Sequence, residues 1–297
     1  MTFTIATPAT SANLGPGFDS LGLALDCKNI CKIKEAKATK ITIKGEGKGI
    51  SKLLIDNMFV RIFNAILKDS GLKDMNFELD FYNNIPVSRG MGSSSAVIVG
   101  AISAAFKVLN IPFNKQKILD FALTYENHPD NITPAVYGGF CVSILEGKQY
   151  DRVIHTKFDI PESIRAVILI PEKTISTKLS REALPKKLSL QDCIFNLSHA
   201  SLLTAAFAQQ RWDLLRYASK DRIHEYKRMK QLPFLFAVQK TALENGAISS
   251  TLSGSGSAFL SLAFKDDALK LKEILARKFK MSRVIEVGLD NNGVEFL

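Results

Sequence analysis

Residues 77–106 restrict what this chain can fold into more than any other stretch. Phe77, Leu79 and Phe81 alternate with Glu78, Asp80 and Tyr82, the period of a half-buried strand. Val97, Ile98, Ala101, Ile102, Ala105 and Phe106 then recur at helical spacing, up to a break near Asn110 and Pro112. Between the two lies PVSRGMGSSSA, residues 86–96. A strand running through glycines into an apolar helix excludes an all-helical or all-β chain. It also sets Gly90, Gly92 and three serines at a helix N-terminus, where free N–H groups point at anions and glycines let the backbone approach them. No Gly-Lys-Ser/Thr follows, so this is not a Walker A loop. Serine hydroxyls also suit Mg²⁺ as hard oxygen donors. A serine-capped turn before a buried helix meets the same local pattern.

The remaining pattern predicts strands at 23–33 and 41–44 and a helix over 53–68. A second helix is expected at about 115–125, and strands at 140–145 and 165–170. Further on, helices are expected at 190–209, 233–244 and 269–280, with strands at 258–264, 284–287 and 294–296. Strands and helices mix without strict alternation, so the fold class is α+β. A chain of 297 residues suggests two domains at ~100–200 residues each. The prolines at 161 and 171 mark the seam, giving domains 1–160 and 161–297.

Composition removes several classes of function. With 46% hydrophobic and 23% charged residues the chain is an ordinary globular one. No apolar run approaches the ~18 residues of a membrane span, and no signal peptide is visible at the N-terminus. Cys27, Cys31, Cys141 and Cys193 form no metal-binding pattern and read as reduced thiols, so a cytoplasmic protein is expected. The net charge of +10 suits an anionic partner. Nucleic acid is a poor candidate, because the lysines between 28 and 52 are spread along strands with Glu35 and Glu46 among them and no aromatics interleave as stacking platforms require.

Three more segments concentrate polar groups. Residues 8–22, PATSANLGPGFDSLG, read as an irregular loop that offers Asn13 and Asp19. Residues 126–131, ENHPDN, gather Glu126, His128, Asp130 and Asn131 in a proline-stiffened turn. Residues 253–257, SGSGS, separate two apolar runs. Each alone also reads as a structural turn or a capped surface loop.

Taken together, residues 86–96, the N-terminal PATSANLGPGFD, the HPDN turn and the late SGSG resemble the GHMP kinases. The serine loop is similar to the P-x-x-x-G-L-G-S-S phosphate loop of that superfamily, with Met91 in place of leucine. PATSANLGPGFDSLGLAL and HPDN look like its homoserine kinase branch, and the order of motifs matches along essentially the whole chain. The resemblance implies a ribosomal-protein-S5-domain-2-like N-terminal domain and a ferredoxin-like C-terminal domain, with the active site between them. It implies an ATP site of Asn57 with Pro86, Val87, Ser88, Arg89, Gly90, Met91, Gly92, Ser93, Ser94, Ser95 and Ala96. Glu126 and Ser94 would ligate Mg²⁺, with Ser93 the next choice of serine. Asn13, Asp19, His128, Asn131, Thr177, Arg181 and Arg228 would line the substrate pocket. Arg228 sits in His-Glu-Tyr-Lys-Arg, where the family often has His-Glu-Pro-Tyr-Arg.

The implied reaction is ATP-dependent phosphorylation of the L-homoserine hydroxyl, on the route to threonine. Two arginines would fork the substrate carboxylate and Asp19 would take its ammonium. Several GHMP kinases use an aspartate base at the position that HPDN gives to Asn131, and an amide cannot accept that proton. Catalysis is then positioning plus charge stabilisation by Asn131, Arg181 and Glu126, with Asp130 the fallback base. The implied partners are ATP and L-homoserine, with no nucleic acid and no membrane, and a homodimer is compatible with this reading. The alternatives are a GHMP kinase for another small hydroxylated carboxylate, such as mevalonate or shikimate, and a basic nucleic-acid-binding protein.

Overall fold

The computed structural model describes residues 1–72, 75–149, 151–175, 177–182 and 184–297, without the side chains of 177–179. The first half runs β1 (Thr2–Ala12), β2 (Leu21–Ala36), β3 (Lys40–Gly45), α1 (Ser51–Ile55), α2 (Met58–Asp69) and β4 (Asn76–Asn83). It continues with α3 (Ser93–Val108), α4 (Lys115–Ala122), α5 (Pro129–Tyr137), β5 (Phe140–Glu146) and β6 (Arg152–Phe158). Then come β7 (Ile164–Pro171), α6 (Thr177–Glu182), α7 (Leu190–Ala208), a 3-10 turn at Trp212–Leu214, α8 (Leu215–Ala218), α9 (Glu225–Met229) and α10 (Phe234–Glu244). The chain ends with β8 (Ala247–Leu252), β9 (Phe259–Phe264), α11 (Lys265–Lys278), β10 (Ser282–Val287) and β11 (Glu295–Phe296).

Two sheets organise these elements. In the first, β11, β1, β2, β4 and β3 lie side by side, and β5 pairs with both β2 and β6. β3 and β4 are parallel, which requires the crossover that α1 and α2 supply. The long β1–β2 ladder shifts register between Pro8 and Ala9, where proline removes a ladder donor. The second sheet has the order β10-β7-β9-β8 and is antiparallel throughout.

Three apolar clusters hold the layers together. One lies between the first sheet and α2–α5, where Phe63 meets Phe77 and Phe59 meets Phe81 edge-on, each pair 5.1 Å apart. The second joins the two sheets. Leu21, Leu23 and Phe140 face Ile164, Ile168 and Leu260 across it, and Phe140 stacks on Phe207 of α7 at 4.0 Å. The third packs Val167, Leu169 and Phe259 against α10 and α11. β7 contributes alternate residues to the second and third clusters, so it is buried on both faces, and that is why its sequence is a continuous apolar run.

The structure departs from the sequence expectations at several places. The helix expected over 53–68 is two helices, broken at Asp56 and Asn57, because the Asn57 side chain caps α2 by accepting from the Val60 amide. The segment read as a loop over 8–22 is half strand, since β1 runs to Ala12 and β2 starts at Leu21. ENHPDN is a loop only to His128. Pro129 then opens α5, because a proline at N1 gives up an N–H that would have no intrahelical partner anyway. β6, β8, α8 and α9 are further elements that the pattern did not predict. The chain end returns to the first sheet as β11, clamped where Lys28 meets Asp290 at 2.7 Å and Glu295 at 2.6 Å.

Candidate active site

A cleft of about 500 Å³ opens where β1, the α3 N-terminus, the α5 N-terminus, α6 and the 253–257 loop converge. Its floor is the phosphate-loop candidate. Gly92 takes a left-handed conformation at the N-cap of α3, and Ser93, Ser94 and Ser95 form the first turn, whose amides have no intrahelical acceptors. The α3 dipole adds partial positive charge at the same point.

The glycines here serve the protein's own packing. A Cβ on Gly92 would overlap Thr10 Oγ1, and one on Gly90 would overlap the Ser253 carbonyl oxygen. The space beside each of these α-carbons is taken by β1 and by the late glycine-serine loop. Arg89 anchors the loop from the other side, its Nε donating to the Pro171 carbonyl at 2.9 Å and its Nη2 to Glu172 at 2.7 Å. Ser253 Oγ closes the join by donating to the Gly90 carbonyl at 2.7 Å.

The second wall carries charge. Arg181 of α6 donates to both carboxylate oxygens of Asp19, at 2.8 and 3.3 Å. Its Nε is buried with no acceptor among the described residues. Arg228 of α9 is 2% exposed and donates to the carbonyls of Gly254 at 3.0 Å and Ser180 at 3.4 Å. Burial lowers its pKa to about 10, and the like charge of Arg181 adds to the effect. His224 holds it from behind. The imidazole donates from Nε2 to the Gly15 carbonyl at 2.8 Å, so Nδ1 is the acceptor for Arg228 Nη1 at 3.2 Å. Burial lowers the His224 pKa, which keeps that neutral tautomer.

The loop between β1 and β2 presents Asp19 through backbone that few residues adopt. Asn13, Leu14 and Asp19 all have positive φ, at 71°, 50° and 55°. The Asn13 amide stabilises the turn, accepting from the Asp19 N–H at 3.1 Å and donating to the Gly254 carbonyl at 3.0 Å. Both ends of Asn13 are therefore used by the scaffold, although its side of the loop lines the cleft.

The α5 N-terminus completes the site. Thr10 Oγ1 donates to Asn131 Oδ1 at 2.9 Å, which sets Oδ1 as the acceptor end of that amide and Nδ2 as its donor end. His128 Nδ1 and Glu126 Oε1 are hydrogen-bonded, and the bond raises the His128 pKa. Asp130 is buried on the cleft wall and accepts a long hydrogen bond from Asn131 Nδ2 at 3.4 Å. Burial, with Asp19 second, raises its pKa to about 7.

Asn13, Asp19, Asn57, residues 87–96, Glu126, His128, Asn131, Arg181 and Arg228 all line this one cleft. Pro86 is buried and lies outside the lining. Thr177 begins α6, and its side chain is outside the described ones. Sequence reasoning named no role for Thr10 or Gly254, which hold Asn131, Asn13 and Arg228. Thr10 meets its partner across 121 residues of chain, a separation that no local pattern reveals. The apolar end of the cleft, with Ile5, Ile30, Ile43, Phe59 and Phe81 beside Asn57, suits a planar heterocycle.

The profile of the GHMP kinases N terminal domain matches residues 57–139. A homoserine kinase of Helicobacter hepaticus is 54% identical over 295 residues, covering 99% of both chains. One of Helicobacter pylori strain J99 is 52% identical over 290 residues, covering 98% of both. The crystal structure of homoserine kinase from Cytophaga hutchinsonii superposes with a TM-score of 0.84 at 25% identity, covering 100% of this chain and 97% of that one.

Proposed function

Because this chain belongs to the homoserine kinases of the GHMP superfamily, which phosphorylate the L-homoserine hydroxyl at the expense of ATP, we propose the following division of labour in its cleft. The triphosphate lies on the 86–96 loop and the first turn of α3, with the base toward Asn57 and the apolar end. The amino acid lies between Asp19 and the two arginines. The observation that carries this reading is that one cleft holds both an anion-binding helix N-terminus and a paired set of charges matching a zwitterion.

The Asp19–Arg181 pair explains how a zwitterion enters. Its ammonium replaces Arg181 at Asp19, and its carboxylate replaces Asp19 at Arg181. Each protein charge exchanges one partner for another, so no ion is left bare in the cleft. Arg228, whose protein partners are carbonyls and a neutral imidazole, adds a second cation for the carboxylate. The unpaired Arg181 Nε gains an acceptor in the same exchange.

The substrate hydroxyl then faces Asn131, whose Nδ2 is the donor end because Thr10 occupies Oδ1. An amide donor orients the hydroxyl and removes no proton. Catalysis on this reading is positioning and charge stabilisation: the hydroxyl oxygen bonds the terminal phosphorus as ADP leaves, and its proton passes to an oxygen of the transferred phosphoryl group. A second reading makes Asp130 the proton acceptor, and it is favoured by the pKa of about 7 that burial gives this carboxyl. Glu126 and Ser94 fit Mg²⁺, which takes one or two protein oxygen ligands and leaves the rest to phosphate and water. When bound, that ion neutralises phosphate charge.

The two-sheet architecture supports domains 1–160 and 161–297, of S5-like and ferredoxin-like type, with β11 of the second returning to the first. Among the described residues no helix is long and apolar enough to cross a membrane.

Coupled ADP release with L-homoserine, mevalonate and shikimate tests the substrate assignment. Turnover dependent on homoserine and far below it on the other two is expected. A preference for either alcohol that lacks an ammonium group would overturn the pocket described here.

A further inference from the structure

Phe18 lies within cation–π range of both arginines. Its ring centre is 5.5 Å from the Arg181 guanidinium carbon and 5.2 Å from that of Arg228. The same ring packs on His224, with centroids 5.2 Å apart and planes tilted by 36°. His224 is the acceptor for Arg228 Nη1, so Phe18 touches both guanidinium groups and the imidazole that orients one of them. The backbone that places it is the positive-φ loop of Asn13, Leu14 and Asp19.

Two cations that share one pocket repel each other, and Arg228 has no carboxylate at ion-pair distance among the described residues. An aromatic face presents negative charge to a cation and a flat surface to a planar one. A ring in contact with both guanidinium groups offsets part of their repulsion and limits the ways each plane can turn. An aliphatic side chain of the same bulk would fill the space without either effect.

We propose that Phe18 is a specificity-determining positioning residue, which holds Arg181 and Arg228 as one two-pronged receptor for the substrate carboxylate. This rests on the carboxylate reading of the pocket given above. The ring does not contact the reacting atoms on this account; it acts through the arginines. It therefore affects how well a carboxylate is told from a neutral group, and has no part in nucleotide binding.

The test is steady-state kinetics of Phe18→Leu and Phe18→Tyr with L-homoserine, its carboxamide and ATP, alongside Arg181→Ala and Arg228→Ala. Phe18→Leu should raise KM for homoserine about tenfold. Its kcat and its KM for ATP should stay within about twofold of the parent. The preference for homoserine over the carboxamide should fall by about the same tenfold factor, and Phe18→Tyr, which keeps the ring, should restore both quantities. The inference is overturned if Phe18→Leu keeps its carboxylate preference. It is equally overturned if both substrates and ATP suffer alike, which is the mark of a merely structural role, or if Phe18→Leu does not fold and Phe18→Tyr also loses the preference. The arginine variants separate the two levels. If they lose the preference and Phe18→Leu does not, only the role of Phe18 fails; if they keep it, the carboxylate reading itself fails.

Discussion

Arg181 grips both oxygens of Asp19 across 162 residues of chain, and each side chain is about one-third exposed to solvent. Pairs this accessible contribute about 0–1 kcal/mol to stability. The contact therefore does little to hold the fold, and its position in the cleft fits the proposed use, as a pre-aligned pair of opposite charges for a zwitterion. Asp19→Asn should leave the melting temperature nearly unchanged and raise KM for homoserine. 4-Hydroxybutyrate, which lacks the ammonium, should lose little in the same variant. Equal losses for both alcohols would show that Asp19 does not read the amine.

Thr10 and Asn131 give a second, finer prediction. Thr10→Val keeps the shape of the side chain and removes the donor that holds Asn131 Oδ1. One such bond contributes about 1 kcal/mol, so kcat should fall several-fold with KM for ATP unchanged. Gly92→Ala should reproduce this loss and add a drop in melting temperature, because its Cβ displaces Thr10 Oγ1 and its backbone is left-handed. Normal turnover in both variants would remove Asn131 from the chemistry.

Stability should depend on pH through Glu225. This carboxyl is buried in α9, accepts from the Leu252 amide, and has its pKa raised by burial from the ordinary 4.5 to about 8. The folded state therefore keeps a proton that the unfolded chain releases above about pH 4.5. The stabilisation is complete below that value and is lost as pH rises toward 8. Glu225→Gln cannot ionise, so its melting temperature should gain on the parent between pH 5 and 8. A difference that does not change with pH would place the Glu225 pKa in the ordinary range.

Glu126 should govern the metal requirement. Glu126→Ala should lower turnover roughly a hundredfold and move half-activation to higher Mg²⁺, with the melting temperature little changed. Near-parental activity at limiting Mg²⁺ would exclude this carboxylate as a ligand.

How much of this was legible in the sequence depends on range. The 86–96 loop could be read because two glycines and three serines before an apolar stripe are a local signal. The break before α2 was also local, since Asn57 is a standard capping residue, yet the apolar spacing of 54–66 masked it. α5 was unreadable because Pro134 interrupts its interior and its first turn carries the polar HPDN residues. β8 was hidden by its serines, which are buried and satisfied by the neighbouring strand, as where Ser250 meets Ser261 at 2.8 Å. The motifs point to side chains that line the cleft, and three-dimensional packing alone sets the contacts they make: Asp19 with Arg181, Asn131 with Thr10, Arg228 with His224.

The most direct measurement of the central claim, that a charge-reading pocket sits beside the phosphate loop, is the kinetics of Arg181→Ala with homoserine, its carboxamide and ATP. The charge-assisted interaction of this one arginine with a carboxylate contributes about 1.5–3 kcal/mol, and 1.36 kcal/mol is tenfold in rate. The account predicts that kcat/KM for homoserine falls by roughly one to two orders of magnitude, that the carboxamide loses less, and that KM for ATP stays the same. A raised KM for ATP with homoserine unaffected would mean that Arg181 serves phosphate, and would contradict the pocket as described.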